Sequence, residues 1–350
     1  MLRHLHLIDP VERTKDMDVT EFTKYTDIRK AQVGPTDPNV VQMIMREFYD
    51  KHLRRGNQEE LDKIWEFMCP KIEENAGLAQ FILDYDGAGS DYFFPWLINI
   101  FRSPSLALEM SYGAGTDLDG KWVEKVPKED PIDFFVRNDP TFVYNRERQR
   151  YVADLVTTVQ DEDFGCSEHF SKVVDLGAGR LAWARWHNFQ FEPEHQAILA
   201  FDKDPSIKPE ELFPGRDLKD LGLTFKHGDL MVQVNNVDCR DANLIILGGV
   251  KSYIRDDVFA QAVMMPVYHL LAPGGVFYFD LQVDCPYLRR SMSIFDWPNM
   301  YLPESIGDAI GGIESMRKDF WQKGLRFSAE YAVDTYNESP TAIMVNLQKV

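Results

Sequence analysis

The chain has 350 residues, enough for two domains or for one core with a large extension, and its 44% hydrophobic and 27% charged residues are the balance of a globular protein rather than a disordered one. Asp and Glu number 56 against 38 Lys and Arg, a formal charge of -18. A field of that sign repels polyphosphates, which disfavours nucleic acid and favours a neutral or cationic small molecule as partner.

Four scattered cysteines, Cys69, Cys166, Cys239 and Cys285, show no CxxC pair and no zinc-type His spacing, so no metal is expected and the thiols suit a reduced compartment. The opening MLRHLHLIDPVERTKD lacks the apolar run of a signal peptide, and no apolar stretch reaches the roughly 18 residues of a membrane span. The expected address is cytoplasmic, without membrane association.

Residues 1 to about 140 read as a mainly helical subdomain. Asp37-Pro38 starts a helix over Val40 to Leu53 that spaces Val41, Ile44, Met45, Phe48 and Tyr49 on one face. Gln58 to Phe67 repeats the pattern, and Leu78 to Leu83 and Trp96 to Phe101 add shorter apolar faces. Two Gly/Asp-rich segments, Tyr85 to Asp91 and Tyr112 to Gly120, are turns that serve either as a lid over a pocket or as plain surface loops.

From about 141 to 350 the texture changes to short apolar runs between amphipathic stretches, the mark of alternating strand and helix. Tyr144 to Val156 reads as a helix in which Arg146, Arg148 and Arg150 form a solvated face, with one of them available to a ligand carboxylate. Five candidate parallel strands follow at Val173 to Leu176, Ala197 to Phe201, Leu223 to Phe225, Leu244 to Leu247 and Val276 to Phe279. Their unalternated apolar character suits strands covered on both faces. Leu325 to Thr335 and Thr341 to Leu347, parted by Asn337-Glu338-Ser339-Pro340, read as a closing antiparallel pair.

The first strand ends in Asp175-Leu176-Gly177-Ala178-Gly179-Arg180-Leu181, a turn whose glycines let a ligand approach the backbone. About 23 residues beyond Gly179, Phe201-Asp202-Lys203-Asp204 places an acid where a carboxylate can accept both hydroxyls of a ribose, with Asp204 alternatively a helix cap. His227-Gly228-Asp229-Leu230 closes the third strand. Leu247-Gly248-Gly249-Val250-Lys251-Ser252-Tyr253 closes the fourth, and Leu270-Leu271-Ala272-Pro273-Gly274-Gly275 turns into the fifth.

In these motifs, in this order, the chain from Val173 onward resembles the class I S-adenosylmethionine-dependent methyltransferases. The resemblance implies a doubly wound, Rossmann-like α/β fold with a seven-stranded sheet and S-adenosylmethionine as cofactor. It carries over Gly177 and Gly179, with Asp175 and Ala178, to the methionine part, and Asp202 with Lys203 to the ribose. Gly228, Asp229 and Leu230 fall to the adenine end, and Gly248 beside the sulfonium. The family often has glycine where Leu181 stands, so that leucine either turns into the core or crowds the cofactor's tail.

Ligands of open α/β sheets sit outside the carboxyl ends of the strands, which brings Lys251, Ser252, Tyr253, Asp280, Leu281 and Gln282 near the reacting atoms. Tyr253 and Asp280 are the candidate catalytic residues. Tyr253 would orient an acceptor or else pack on the next helix; Asp280 would take a proton, pair a cation or cap a strand end. Tyr287, Phe295, Trp297 and Tyr301, in the insertion from Asp284 to Trp321, line an acceptor pocket or form a local core.

Gly248-Gly249-Val250 is not the Asn-Pro-Pro-Tyr type of segment found in methyltransferases of adenine or glutamine amides, and no Pro-Cys dipeptide supports the covalent cytosine mechanism. The expectation is therefore N- or O-methylation of a small molecule. The alternatives are transfer of the cofactor's aminoalkyl arm, as in polyamine and nicotianamine synthases, and a cofactor-fold binding subunit without turnover.

Overall fold

The computed structural model of the protein describes residues 34–86, 89–118, 121–161, 171–187, 189–295, 300–336 and 339–350. The N-terminal stretch, Cys166, Trp297, the Asn337-Glu338 turn, and Gly87, Ala88, Asp119 and Gly120 of the two Gly/Asp-rich segments lie outside these residues. Two compact units divide the chain. One contains Glu147–Cys285 and Asn299–Val350; the other contains the described residues up to Arg146 together with Pro286–Pro298.

The first of these units is built on one sheet. Its strands are β1 (Ser171–Asp175), β2 (Gln196–Asp202), β3 (Leu223–His227), β4 (Ala242–Leu247), β5 (Leu271–Gln282), β6 (Phe327–Tyr336) and β7 (Ser339–Lys349). They lie in the order β3-β2-β1-β4-β5-β7-β6. The pairs among β1 to β5 are parallel, whereas β7 runs antiparallel between β5 and β6. The five expected parallel strands and the closing pair are all present, and the order reverses beside β1, which makes the crevice there a ligand position.

Alternation along each strand supplies two cores. Val174, Ile245, Phe277, Phe279, Ile343 and Val345 pack on one face with Phe259, Val263, Val267, Ile313 and Phe320. Val173, Ile198, Ile246, Val276 and Tyr278 pack on the other with Val152, Leu155, Val159, Trp183 and Leu212. Burial on both faces explains why these strands read as apolar runs. The expected turn before β5 is instead a bulge inside it: Leu271 already pairs with Ala242, and pairing resumes at Val276 opposite Leu244.

The other unit is mainly helical. Its principal elements are α1 (Pro38–His52), α2 (Gln58–Glu74), α3 (Ala76–Asp86), α4 (Phe93–Arg102), α5 (Pro104–Met110) and α6 (Pro131–Asn138), followed by the start of α7 (Pro140–Asp161), within which the boundary falls. Asp37 caps α1 by accepting the Asn39 N–H at 2.8 Å, with Pro38 in the first turn, as the residue types demand. The second helix runs past its expected end at Phe67 and through Pro70, because burial of Met68 and Ile72 offsets the hydrogen bond that proline cannot make.

Phe295 is buried among Phe81, Trp96 and Phe142, so of the insertion's aromatics it joins this unit's core rather than lining an acceptor pocket. Tyr301, which belongs to the sheet-bearing unit, is exposed. No described helix is long and apolar enough to cross a membrane.

Candidate functional site

Every sequence-predicted site residue stands at the carboxyl end of one of the five parallel strands. Asp175 ends β1 and Gly177, Ala178 and Gly179 follow it; Asp202 ends β2 and Lys203 follows it; Gly228, Asp229 and Leu230 follow β3; Gly248 and Tyr253 follow β4; Asp280 lies just before the end of β5. Parallel pairing in register brings these ends to one side of the sheet.

The turn after β1 is held from several sides. Leu176 N–H donates to the Ile246 carbonyl at 2.9 Å and Ala178 N–H to the Phe201 carbonyl at 3.0 Å. Gly179 N–H donates to Asp202 Oδ2 at 2.8 Å, while Asp202 Oδ1 accepts from Asp204 N–H at 2.8 Å. Two bonds leave a carboxylate with further lone pairs, one on each oxygen, so Asp202 can still accept from a pair of hydroxyls. Burial raises its pKa, and the two backbone N–H groups oppose that rise.

Gly177 has to be glycine because of its neighbour: a Cβ there would stand 2.9 Å from Val250 Cγ2 of the loop after β4. Leu181 takes φ 54 and ψ 44, the left-handed conformation that glycine adopts freely, and its side chain is wholly buried among Val152, Trp183 and Ile198. Of the two expectations for this residue, the turn into the core is the one observed.

Asp175 is buried, accepting from Trp183 Nε1 at 3.0 Å and from Gly177 N–H at 3.3 Å. Burial pushes its carboxyl up to about 7; the Trp183 and Gly177 hydrogen bonds oppose this, the Asp202 charge adds to it, and Arg148 opposes it. At the far end of the row, Asp229 is exposed and caps the short helix Leu230–Gln233 by accepting Met231 N–H at 2.8 Å. Lys203 is exposed. Asp204 accepts Ser206 N–H at 2.9 Å in a turn, so it caps no helix.

Asp280, 1% exposed, has both oxygens engaged: Oδ1 accepts Gly249 N–H at 2.6 Å, and Oδ2 lies 3.5 Å from Arg148 Nη1. Tyr253 is 39% exposed, and the low-dielectric surroundings of its phenol raise it to about 12, with Arg148 lowering and Asp280 raising it. Lys251 turns away from this place. Its ammonium is buried, donating to Asp256 at 2.7 Å and to the Ile254 carbonyl at 3.2 Å.

Three residues take part in ways the sequence does not single out. Val250 and Trp183 stand in the segments after β4 and β1 without a signal of their own. Arg148 is 4% exposed, not on a solvated face as expected; the signal was its place in α7, four residues after buried Tyr144 and four before buried Val152. Arg150 is exposed, and Arg146 donates to the carbonyls of Ser111, Val136 and Arg137.

The set can receive a cationic nucleoside ligand. Asp175 and Asp202 place two carboxyl groups at the adjacent ends of β1 and β2, and Asp280 adds a third on β5, with the Arg148 guanidinium near Asp175 and Asp280; an acidic row of this kind suits a positively charged group. Asp202 suits a ribose, since each of its oxygens keeps a lone pair beyond the backbone N–H it accepts.

No family model and no curated protein matches the chain. Among solved structures, a possible exported protein from Bordetella parapertussis is similar at 15% identity and a TM-score of 0.49, covering 89% of this chain and 96% of that one. The methyltransferase domain of bacterial-CtHen1-C is similar at 13% identity and a TM-score of 0.41, covering 58% of this chain and 97% of that one. N-methyltransferase NodS from Bradyrhizobium japonicum WM9 stands at 13% identity and a TM-score of 0.35, with 58% and 97% covered.

Likenesses this distant bear on neither substrate nor activity, and it is the strand order that decides the architecture. The resemblance implied a doubly wound seven-stranded sheet, and the structure has one: five parallel strands in the order 3-2-1-4-5, closed by an antiparallel seventh strand inserted before the sixth. The sheet-bearing unit has the fold of the class I S-adenosylmethionine-dependent methyltransferases, a class that binds S-adenosylmethionine.

Proposed function

We propose that the protein is an S-adenosylmethionine-dependent methyltransferase that methylates nitrogen or oxygen of a small molecule. The observation that carries this reading is the Asp202 carboxylate, which draws in Gly179 N–H while keeping free lone pairs at the switch point of the sheet. Asp202 would hold the ribose with Lys203 beside it, the Asp175 to Gly179 turn the methionine part, Gly228 to Leu230 the adenine, and Gly248 would pass beside the sulfur. When bound, the cofactor supplies a methyl group activated by the sulfonium charge.

The protein's contribution is then alignment and exclusion of water, which for a displacement between held partners is a large share of the rate. Tyr253, partly exposed on the loop after β4, orients the acceptor through its hydroxyl. Asp280, both of whose oxygens are occupied and one of which faces an arginine, holds that loop in place rather than collecting a proton. We assign residues 1–140 to substrate selection and 141–350 to cofactor binding and chemistry, in the cytoplasm and without nucleic acid or membrane as partner.

Leu181 packs into the core, which supports turnover over the reading of the chain as a binding subunit. Incubating the protein with methyl-labelled and carboxyl-labelled S-adenosylmethionine and a library of amines and phenols tests the proposal. Methyl label on an acceptor is expected. Carboxyl label on the product, or tight cofactor binding with no transfer to any acceptor class, would overturn it in favour of aminoalkyl transfer or a binding role.

A further inference from the structure

The loop from Gly248 to Tyr253 is stitched to β5 at two points, Gly249 N–H to Asp280 Oδ1 at 2.6 Å and Gln282 N–H to Ser252 Oγ at 3.2 Å. A third contact comes from α7. A Cβ on Gly249 would stand 2.6 Å from Arg148 Nη1 and 3.1 Å from both Cζ and Nη2, so the guanidinium lies directly against the Gly249 α carbon. With φ 73, Gly249 is in a conformation costly for any other residue, and the guanidinium occupies the space a side chain would need. Gly248 is next in the same row: a Cβ there would lie 3.9 Å from Asp280 Oδ1 and 4.0 Å from Arg148 Nε.

Arg148 and Asp280 are both almost wholly buried, and buried charges persist only when paired and hydrogen-bonded. Their separation of 3.5 Å is long for a hydrogen bond, whereas the Gly249 N–H to carboxylate bond is short. The guanidinium therefore acts mainly as a charge beside the Asp280 carboxyl group, which is turned toward the backbone N–H. The phenol of Tyr253, at the loop's end, lies in the field of both groups.

We infer that Arg148 is a positioning residue: with Asp280 it clamps Gly249 and so fixes the loop that carries Gly248 and Tyr253. The consequence for catalysis rests on the methyltransferase reading, but the clamp itself does not.

Hydrogen–deuterium exchange of the full chain without ligand, read on peptides covering Gly248 to Tyr253 and on the helix Ile306–Gln322, tests the clamp in wild type, R148K, R148Q, D280N and R148Q/D280N. Loss of the buried charge partner should accelerate loop exchange about tenfold or more in R148Q, with Ile306–Gln322 unchanged, while R148K retains most of the protection. In the double variant, an uncharged amide pair with an Asn oxygen still offered to Gly249 N–H should return loop exchange to within about threefold of wild type. An R148Q loop that exchanges like wild type, equal acceleration in Ile306–Gln322, or a double variant no better than R148Q overturns the inference.

Should R148Q fail to fold, R148K and the double variant, compared with D280N, decide the same question. Titration with S-adenosylhomocysteine in the same samples separates the two readings. Affinity about tenfold weaker in R148Q and recovered in the double variant supports the link to the cofactor. No binding by wild type overturns the methyltransferase reading, and exchange alone then judges the clamp.

Discussion

Gly179 N–H and Asp202 Oδ2, 2.8 Å apart across 23 residues of chain, join the turn after the first strand to the end of the second. The bond ties the loop after β1 to the end of β2, on the side of β1 away from β4. One side chain thus shapes the turn and, through its remaining lone pairs, offers the acceptors a ribose needs. Sheet register delivers both residues to the same level, since Asp175 pairs with Ala200, two residues before Asp202.

Gly177→Ala should weaken S-adenosylhomocysteine binding about tenfold or more, because the new methyl group meets Val250 Cγ2 at 2.9 Å and the stiff, β-branched valine cannot turn away cheaply. Adding Val250→Ala should recover most of the affinity, as calorimetric titration of the single and double variants would show. Independent, additive effects would mean that the two residues do not meet.

At Leu181 the usual order of residue preferences should invert. Both Leu181→Ala and Leu181→Gly lose a buried side chain, at about 2–5 kcal/mol. The left-handed backbone, however, penalises alanine by roughly 1 kcal/mol and glycine hardly at all. Denaturant unfolding should find the glycine variant more stable than the alanine variant, and the opposite order would contradict the conformation described.

The Asp175 carboxyl titrates at about 7 in the folded protein and near 3.9 in an unfolded chain. Its folded value is the higher, so its contribution to stability is complete below about pH 4 and is lost as pH rises toward 7, with a slope of up to about 1.4 kcal/mol per pH unit. Asp175→Asn keeps an acceptor for Trp183 Nε1 and should remove that slope. The check is the difference in unfolding free energy between wild type and variant from pH 4 to pH 8; a flat difference would contradict the assignment.

The sheet was legible because strands covered on both faces must be apolar at consecutive positions, as Leu244-Ile245-Ile246-Leu247 is. Helix starts were legible where a cap declares itself, as Asp37-Pro38 does. Ends were not: Pro70 reads locally as a stop, and only the burial of Met68 and Ile72 in the helical core carries α2 through it. The bulge at Pro273-Gly274-Gly275 likewise depends on pairing with β4, which no local pattern announces.

Within the site, the residues on strand ends were legible because parallel topology sends each motif to one side of the sheet. The interplay among them was not. Arg148 reads as solvent-facing if charge alone is weighed, yet its spacing from Tyr144 and Val152 places it on the buried side of α7. Lys251 reads as part of the reaction centre by position and is instead spent on Asp256 and the Ile254 carbonyl. Arg148 finds its carboxylate on a strand distant in sequence, whereas Lys251 finds its partners within the next turn of chain, and charge alone distinguishes neither outcome.

The central claim, that Asp202 anchors the ribose of S-adenosylmethionine at this switch point, is tested most directly by calorimetric titration of wild type and Asp202→Ala with S-adenosylhomocysteine. Hydrogen bonds to a charged acceptor are worth about 1.5–3 kcal/mol each, so the variant should bind about a hundredfold more weakly or not measurably, while still unfolding cooperatively. Equal affinity in the two proteins, or no binding by wild type, would contradict the account.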